Sequence, residues 1–470
     1  MNTKQPYSQR IVDHRNVWIN GSKVDNISEH KAFKGTIQTI EHLLSLQHGT
    51  KKEDLTYVTE EGENAHLSFL VPTTLEELER KNRAYKLWAD ETFGIMSRLS
   101  EYSRVLFAGW YGNRRHLNTI VPGIHEKLEQ FYTRSRNLDY LSTIASQDIQ
   151  KNRGKSLLEK EQGQLRIISK NTEGVIVRGA KTIATAAPYV DEYIISSFHK
   201  RGEDEEQLAN IFFIPAALEG LHIVCRPSFA SLASEDQPLS ARYDEMDAVL
   251  IFDDVLIHWE NVLVYEDPEA AWKLQKDIPA NLLSQHQTVV RLISKLETVA
   301  SVALALGKTA DTIVFSHVKG KLSELFVQIE TIKSLLQAAE QTATLHHDIL
   351  LPNGRFLTAA RNLGTRYYPR GIEIIQQIGA SGLLQVPSTI EELKGPIGDL
   401  ILPYFTGTTT SAYDRTRLIK LAWDLIGSPL AARHELYERF YSGDPVRTYA
   451  AHYNQYPDKQ QLVKFAYQLI

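Results

Sequence analysis

The spacing of apolar positions changes period twice along this chain. From Thr36 to Gln47, Ile37, Ile40, Leu43 and Leu44 recur at helical spacing. Thr73-Thr74-Leu75-Glu76-Glu77 predicts the start of a second helix, because a Thr hydroxyl can satisfy first-turn amides and Glu77 stands three residues after Thr74. That helix should run through Leu87 and Trp88, and Ile95 to Trp110 predicts another, with Arg98 and Tyr102 on one face. Between Leu165 and Val264 the helical period disappears. Short β-branched and aromatic runs replace it at Leu165 to Ile168, Gly174 to Arg178, Tyr193 to Phe198, Asn210 to Pro215, His222 to Cys225 and Ala248 to Phe252, separated by turns such as Asn171 to Gly174 and Glu219-Gly220. Val17 to Gly21 reads as a local hairpin or turn. From about Ala271 the helical period returns, over Ser284 to Leu306, Val318 to Leu345, Thr358 to Gly379 and Tyr413 to Ile426. In the second of these, Leu322, Leu325, Phe326, Ile329, Ile332, Leu336 and Ala339 form a broad apolar stripe, the pattern of a bundle helix.

The pattern defines an α+β chain with an N-terminal mainly helical domain over 1–140, a central β domain over 141–270 and a C-terminal helical bundle over 271–470. A length of 470 residues exceeds one hydrophobic core, so the division agrees with size. Apolar residues at 43% and charged residues at 23% fit a globular protein, and no apolar run approaches the ~20 residues that span a bilayer. The first twenty residues lack an apolar core of the secretory kind, so a cytoplasmic location and no membrane partner are expected. A net charge of -5 and the lack of a basic, aromatic-interleaved patch give no reason to expect nucleic acid. The one cysteine, Cys225, excludes an internal disulfide and cysteine-built zinc or iron–sulfur sites, and is expected at a buried strand position.

Several chemical signals fail on inspection. Gly307-Lys308-Thr309 lacks the earlier glycine of a phosphate loop, and neither GxGxxG nor GxSxG occurs. His346-His347-Asp348 reads as a solvated helix end, since adjacent helical residues diverge, and no metal is expected. The acidic run Glu203 to Glu206 reads as a solvated hairpin tip. Three features remain as site candidates. Arg98 and Tyr102 put a cation and a phenol on one face; Gly179 to Pro188 is small where a strand would be bulky, which suits close approach to a ligand; and His286 and Arg291 begin the first bundle helix. The broad apolar faces of the bundle suggest a dimer or tetramer.

At these residues the chain resembles the large oxygenase component of the two-component 4-hydroxyphenylacetate 3-monooxygenase family. The similarity runs from Val17 to Tyr441 and is carried by Ser68-Phe69-Leu70, Val177-Arg178-Gly179-Ala180, Ala184-Thr185, Tyr243 to Ala248, Ile251 to Val255, Leu421 to Ser428 and Glu435 to Phe440. The resemblance implies an acyl-CoA dehydrogenase-like fold of N-terminal helices, central β-barrel and C-terminal four-helix bundle, usually a homotetramer. It further implies a flavin monooxygenase that receives reduced FAD (FADH2) from a separate NAD(P)H-dependent flavin reductase, reacts it with O2 to a C4a-hydroperoxide, and hydroxylates a small phenol beside its hydroxyl.

Arg98 and Tyr102 match the family's arginine and tyrosine, which implies that both bind the substrate phenol. A phenol of pKa ~10 needs about 4 kcal/mol to ionise at neutral pH, and hydrogen bonds from a charged and a neutral group contribute about 1.5–3 and ~1 kcal/mol. The family's Leu-Thr-His is Leu141-Ser142-Thr143 here, and a threonine is no base near neutrality. His286, followed by Gln287 and with Arg291, matches the histidine proposed as base in the chlorophenol and nitrophenol branch, so the expected catalytic set is Arg98, Tyr102 and His286. The resemblance assigns Thr143, Gln147 and Thr185 to the flavin. It adds Ser428, although Pro429 to Ala432 depart from the family's Phe-Gly-Gly, and Gln377 and Gly379, in a turn that would reach the flavin of a neighbouring subunit. Ser196 and Ser197 are expected at the substrate end. An acyl-CoA dehydrogenase-like flavoenzyme and a non-catalytic flavin-binding homologue are the alternatives; 4-hydroxybutyryl-CoA dehydratase is excluded by the single cysteine.

Overall fold

The computed structural model describes residues 6–149 and 163–470, which cluster into two compact units. The first comprises Met1–Ser234, Leu239–Gln287 and Leu345–Leu351; the second comprises Glu235–Pro238, Thr288–Thr344 and Pro352–Ile470.

The helices of the first unit include α1 (Lys34–His48), α2 (Leu75–Glu91), α3 (Glu101–Gly112) and α4 (Ile124–Leu138). The capping box expected at α2 is present: the Thr74 hydroxyl accepts from the Glu77 amide, and the Glu77 carboxylate accepts from the Thr74 amide, both at 3.2 Å. The helix expected from Ile95 starts only at Glu101. Phe93 and Gly94 take φ of 55° and 64°, which stops α2 and turns the chain, so residues 95–100 are irregular and Arg98 precedes α3 instead of lying on it.

The strands that matter for the site are β1 (Asn16–Ile19), β2 (Ser22–Lys23), β3 (Ser142–Ala145), β4 (Gln147–Asp148), β5 (Arg166–Lys170), β6 (Gly174–Thr185), β7 (Glu192–Ile195), β8 (Ile211–Pro215), β9 (Leu221–Cys225), β10 (Asp247–His258) and β11 (Val262–Val264). Among the described residues the larger sheet has the order β2-β1-β9-β10-β6-β4 with β5 also on β6, and the smaller has β11-β8-β7-β3. The hairpin read at Val17 is the edge of the larger sheet, because β1 pairs parallel to β9 with Val17 opposite Ile223. β3 pairs parallel to β7, Thr143 opposite Tyr193. Small residues do not interrupt β6, which continues to Thr185. Gly179, at φ +128°, allows close approach of the chain itself: a Cβ there would lie 2.1 Å from the Gln164 carbonyl oxygen. The acidic run forms a short 3-10 turn, Glu203–Leu208, in which Glu205 is buried and 3.8 Å from Arg201 rather than solvated. Cys225 is half-buried on β9, and burial pushes its thiol up to about 12.

Stacked Phe107 and Phe213, 4.8 Å apart, with Phe131 against Phe213 at 4.8 Å, join α3, α4 and β8 in one core. Gly109 of α3 lies against the start of the next long helix, α5 (Ile278–Thr309); a Cβ at Gly109 would stand 2.4 Å from the Ala280 Cα. That contact fixes the segment carrying His286 beside α3.

The second unit takes α5 from Thr288 onward, then α6 (Ser316–Gln341), α7 (Gly354–Gly379), α8 (Ala412–Ile426) and α9 (Pro429–Phe440). Leu322, Leu325, Ile329, Ile332, Leu336 and Ala339 of the predicted stripe are buried, whereas Phe326 is exposed. α6 stops at Gln341. Beyond it Thr344–His346 and Ile349–Leu351 form a hairpin, of which Leu345–Leu351 belongs to the first unit, and the Leu350 amide donates to the Pro72 carbonyl at 2.7 Å. The His346-His347-Asp348 segment is therefore a hairpin turn, with His347 at φ 53°, and not a helix end. Among the described residues no helix is long and apolar enough to cross a membrane.

Candidate active site

Although they do not share a helix, Arg98 and Tyr102 meet. The Tyr102 amide donates to the Leu99 carbonyl at 3.0 Å, which folds the entry to α3 back on itself. The Arg98 guanidinium then lies 3.9 Å from the centre of the Tyr102 ring, a stacked cation on an aromatic face. Glu245 holds this turn from the opposite side. It is fully buried, and its two oxygens accept from the Ser97 amide at 2.8 Å and the Arg98 amide at 2.6 Å.

Strand β3 is pinned to the same turn. The Ser103 hydroxyl donates to the Ser142 carbonyl at 2.5 Å and accepts from the Ser142 hydroxyl at 3.0 Å, while the Ser100 hydroxyl reaches the same carbonyl at 3.3 Å. The next residue, Thr143, donates from its hydroxyl to the Thr185 carbonyl at 2.7 Å. Thr185 in turn donates to Asp247 at 2.7 Å, and Gln147 pairs with Thr182 on the same strand as Thr185. Ser196 follows β7, its amide donating to the Ala145 carbonyl at 3.2 Å. Ser197 donates to the Leu208 carbonyl and accepts from Arg201, both at 3.2 Å. A small cavity lies at the Arg98 turn, lined by Arg98, Ser100, Leu141, Ala186, Tyr189 and Glu245; Tyr102, Thr143, Gln147, Thr185, Ser196 and Ser197 are not part of its lining.

His286 is fully buried. Its ring stands edge-on to Tyr85 of α2, centroids 6.0 Å apart, and its neighbour Gln287 donates to Glu101 at 3.1 Å. Thus Arg98, Tyr102, Thr143, Gln147, Thr185, Ser196, Ser197 and His286 all belong to the first unit. Ser428, Gln377 and Gly379 belong to the second. Ser428 caps α9, accepting from the Ala431 amide at 3.1 Å and donating to the Asp424 carbonyl at 2.7 Å. Gln377 is exposed near the end of α7, bonded to Glu373 at 2.8 Å, and Gly379 ends that helix. Arg291 is buried with its guanidinium on Glu438 at 2.8 and 3.2 Å, an internal ion pair of the second unit.

The residues that sequence reasoning passed over are acidic. Tyr243 to Ala248 carried a resemblance without a role; there Asp244 is buried and bonded to Arg226 at 2.6 Å, Glu245 holds the Arg98 turn, and Asp247 holds Thr185. Glu101, which lies in the sequence between Arg98 and Tyr102, is fully buried and accepts from Gln287 at 3.1 Å. Burial pushes its carboxyl up to about 7, against the opposing hydrogen bond from Gln287. Only its position inside the Arg98–Tyr102 segment could have drawn notice.

Helices flanking a two-sheet β module, followed by a bundle, make the acyl-CoA dehydrogenase-like class of fold. An archaeal 4-hydroxybutyryl-CoA dehydratase from N. maritimus shares it, at TM-score 0.88 over 99% of this chain and 94% of that one, and at 17% identity the likeness concerns the fold alone. The chain belongs to the 4-hydroxyphenylacetate 3-hydroxylase family: the family's N-terminal model matches residues 3–264 and its C-terminal model residues 273–470. The 4-hydroxyphenylacetate 3-monooxygenase oxygenase component of Thermus thermophilus is 35% identical over 459 residues, covering 96% of this chain and 94% of that protein. The crystal structure of a 4-hydroxyphenylacetate 3-monooxygenase oxygenase component complexed with FAD and 4-hydroxyphenylacetate superposes at TM-score 0.93, with 34% identity over 98% of this chain and 97% of that one.

Proposed function

We propose that this chain is the oxygenase of a two-component flavin monooxygenase, which hydroxylates a small phenol beside its hydroxyl using O2 and reduced FAD made by a separate NAD(P)H-dependent reductase. The observation that carries this reading is the Arg98 guanidinium stacked on Tyr102, in a turn that Ser100 and Ser103 tie to the Ser142 carbonyl beside Thr143, in a chain of this family. The residues fit a flavin: the side-chain amide of Gln147 supplies a donor, the hydroxyl oxygens of Thr143 and Thr185, whose protons go to the Thr185 carbonyl and to Asp247, supply acceptors, and Ala145, Ala184 and Ala186 keep the adjoining wall low. When bound, reduced FAD with O2 supplies the electrophilic oxygen.

The protein's own residues prepare the phenol. Arg98 offers a charged hydrogen bond to the phenolate oxygen and Tyr102 a neutral one, which together favour ionisation. His286 accepts the phenol proton, a task Thr143 cannot perform. Ser196 and Ser197 bound the substrate end. Ser428, Gln377 and Gly379 would serve the flavin only as part of an assembly, and a homotetramer is our reading of the second unit's exposed Leu384, Leu400 and Tyr404. Light scattering checks that state.

The deciding experiment supplies chemically reduced FAD, then O2 and a set of para-substituted phenols, and measures catechol by chromatography. Catechol formed with FAD and not from peroxide in solution supports the reading. Tight FAD binding with no catechol from any phenol overturns it in favour of a binding protein, and reduction of bound FAD by an acyl-CoA overturns it in favour of a dehydrogenase.

A further inference from the structure

Two hydrogen bonds fix where the protons lie at the proposed flavin wall. Thr143 and Thr185 are both buried. A threonine hydroxyl carries one proton, and here each is given to an acceptor of the protein. Thr143 donates to the Thr185 carbonyl and Thr185 to the Asp247 carboxylate, both at 2.7 Å. Only lone pairs remain on the two oxygens.

The direction of the second bond is set from further off. Asp247 opens β10 opposite Thr185, which ends β6. Its other oxygen accepts from Nε of Arg226 at 2.9 Å. Arg226 is itself anchored: its Nη2 donates to the Asp244 carboxylate at 2.6 Å and to the Glu245 carbonyl at 3.0 Å, and its amide donates to the Asp247 carbonyl at 3.1 Å. Asp244 accepts in turn from the Ser228 hydroxyl at 3.1 Å and the Phe229 amide at 2.8 Å. A carboxylate paired with a guanidinium has no proton to offer, so the proton between Asp247 and Thr185 is the hydroxyl's. Pairing of β10 with β6 is already secured along the strands; what the charged pair adds is the orientation of this hydroxyl.

We propose that Arg226 and Asp247 are positioning residues that set the redox preference of the flavin wall: by taking the Thr185 proton they leave the wall able to accept and not to donate, which favours reduced over oxidised FAD. The inference rests on the reading of Thr143 and Thr185 as flavin contacts. Two-electron reduction places hydrogens on ring nitrogens that are bare acceptors in the oxidised form. Acceptors on the protein match the first state and leave the second without donors. In an oxygenase fed by a separate reductase, the preference keeps oxidised FAD from occupying the site.

The test measures binding and potential, not turnover. Dissociation constants of the full chain for oxidised FAD and, without air, for dithionite-reduced FAD are compared in wild type and Asp247→Asn, and the potential of the bound flavin is read against a reference dye. In Asp247→Asn the Arg226 Nε–H keeps the amide oxygen on its own side, so the amide N–H faces Thr185 and frees the hydroxyl proton. The preference for reduced FAD then falls about tenfold, which lowers the bound potential by about 30 mV for a two-electron couple. Thr185→Val keeps the shape of the side chain and lacks the acceptor, so it produces the same fall, and the double variant falls no further because Asp247 acts through Thr185. Equal weakening of both affinities in Asp247→Asn, with the potential unmoved, overturns the proposal. Should that variant not fold, an unmoved potential in Thr185→Val overturns it, as does a wild type that binds the two forms equally. These results in a chain that still makes catechol sink this proposal alone; a wild type that binds neither form of FAD sinks the flavin reading and this proposal with it.

Discussion

The hydroxyl of Thr143 is bonded to the main-chain carbonyl of Thr185 at 2.7 Å, and this bond joins the smaller sheet to the larger one at the proposed flavin wall. A side chain that differs from the family's histidine thus has a structural task of its own. Thr143→Val, nearly the same shape, leaves the Thr185 carbonyl without this donor in the interior and costs about 1–3 kcal/mol. Thr143→Ser keeps the bond and loses much less. Urea unfolding of the three proteins checks the order, and equal stability of the Val variant would show the bond to be dispensable. The same Val variant should bind reduced FAD more weakly, because the wall at Thr185 is no longer held.

Arg98 acts as a planar cation on the Tyr102 ring. Lysine keeps the charge and loses the flat stack and the forked donor. With an exposed-to-buried cation–π contact contributing ~0.5–2 kcal/mol, Arg98→Lys should raise the KM for the phenol by roughly tenfold, and Arg98→Ala by more, with FAD affinity less affected. Steady-state kinetics at saturating reduced FAD separates the two. A Lys variant with wild-type KM would remove Arg98 from the phenol site.

How far the sequence could take this reading depends on which contacts are local. The capping box at Thr74 and Glu77 and the apolar stripe of α6 are properties of a few neighbouring residues, and both were legible. Arg98 and Tyr102 were paired for a partly wrong reason: helical spacing suggested a shared face, whereas turns after Phe93 and Gly94 bring them together. β3 was missed because Ser142-Thr143-Ile144-Ala145 is short, and its partner, β7, lies some fifty residues on. Glu101 and Glu245 were missed because an acidic residue in a sequence carries no sign of its burial. Only the packing of α3 against α5 and of the Tyr243 to Ala248 segment against the Arg98 turn makes them part of the site.

Glu245 holds two consecutive amides, Ser97 and Arg98, with one carboxylate. Glu245→Gln retains one acceptor and loses the charge, which for charge-assisted bonds costs about 1.5–3 kcal/mol. The loss should appear twice, as lower stability in urea and as a higher KM for the phenol, since Arg98 is no longer held in place. A variant that loses stability alone would confine Glu245 to a structural role.

Glu101 also leaves a mark on the pH dependence of stability. Its carboxyl is raised from the ordinary ~4.5 to about 7 by burial, so the folded chain holds a proton that the unfolded chain has released. The contribution is fully present below about 4.5 and is lost as pH rises through about 7, at most ~3 kcal/mol at 1.36 kcal/mol per pH unit. Glu101→Gln removes this dependence and should be more stable than wild type at pH 8. Denaturant unfolding at pH 5 and pH 8 gives the comparison; a Gln variant that weakens equally at both would contradict it.

In the second unit the opposite sign is expected at Glu438. Burial alone would raise its carboxyl, but Arg291 at 2.8 Å and Lys295 at 2.9 Å overcome that and hold it down to about 2. Its contribution is present above the ordinary carboxylate value of ~4.5 and is lost as pH falls through about 2. Glu438→Gln leaves both cations buried without their carboxylate, the situation that costs about 3–5 kcal/mol, whereas replacing charges together by apolar groups can be neutral. A triple Arg291→Met, Lys295→Met, Glu438→Leu variant should therefore recover much of what Glu438→Gln loses. Trp423, on α8, reports unfolding of this unit by fluorescence. If Glu438→Gln unfolds at the same urea concentration as wild type at pH 7, the ion pair does not hold α5 to α9, and the apolar stripe alone sustains the bundle.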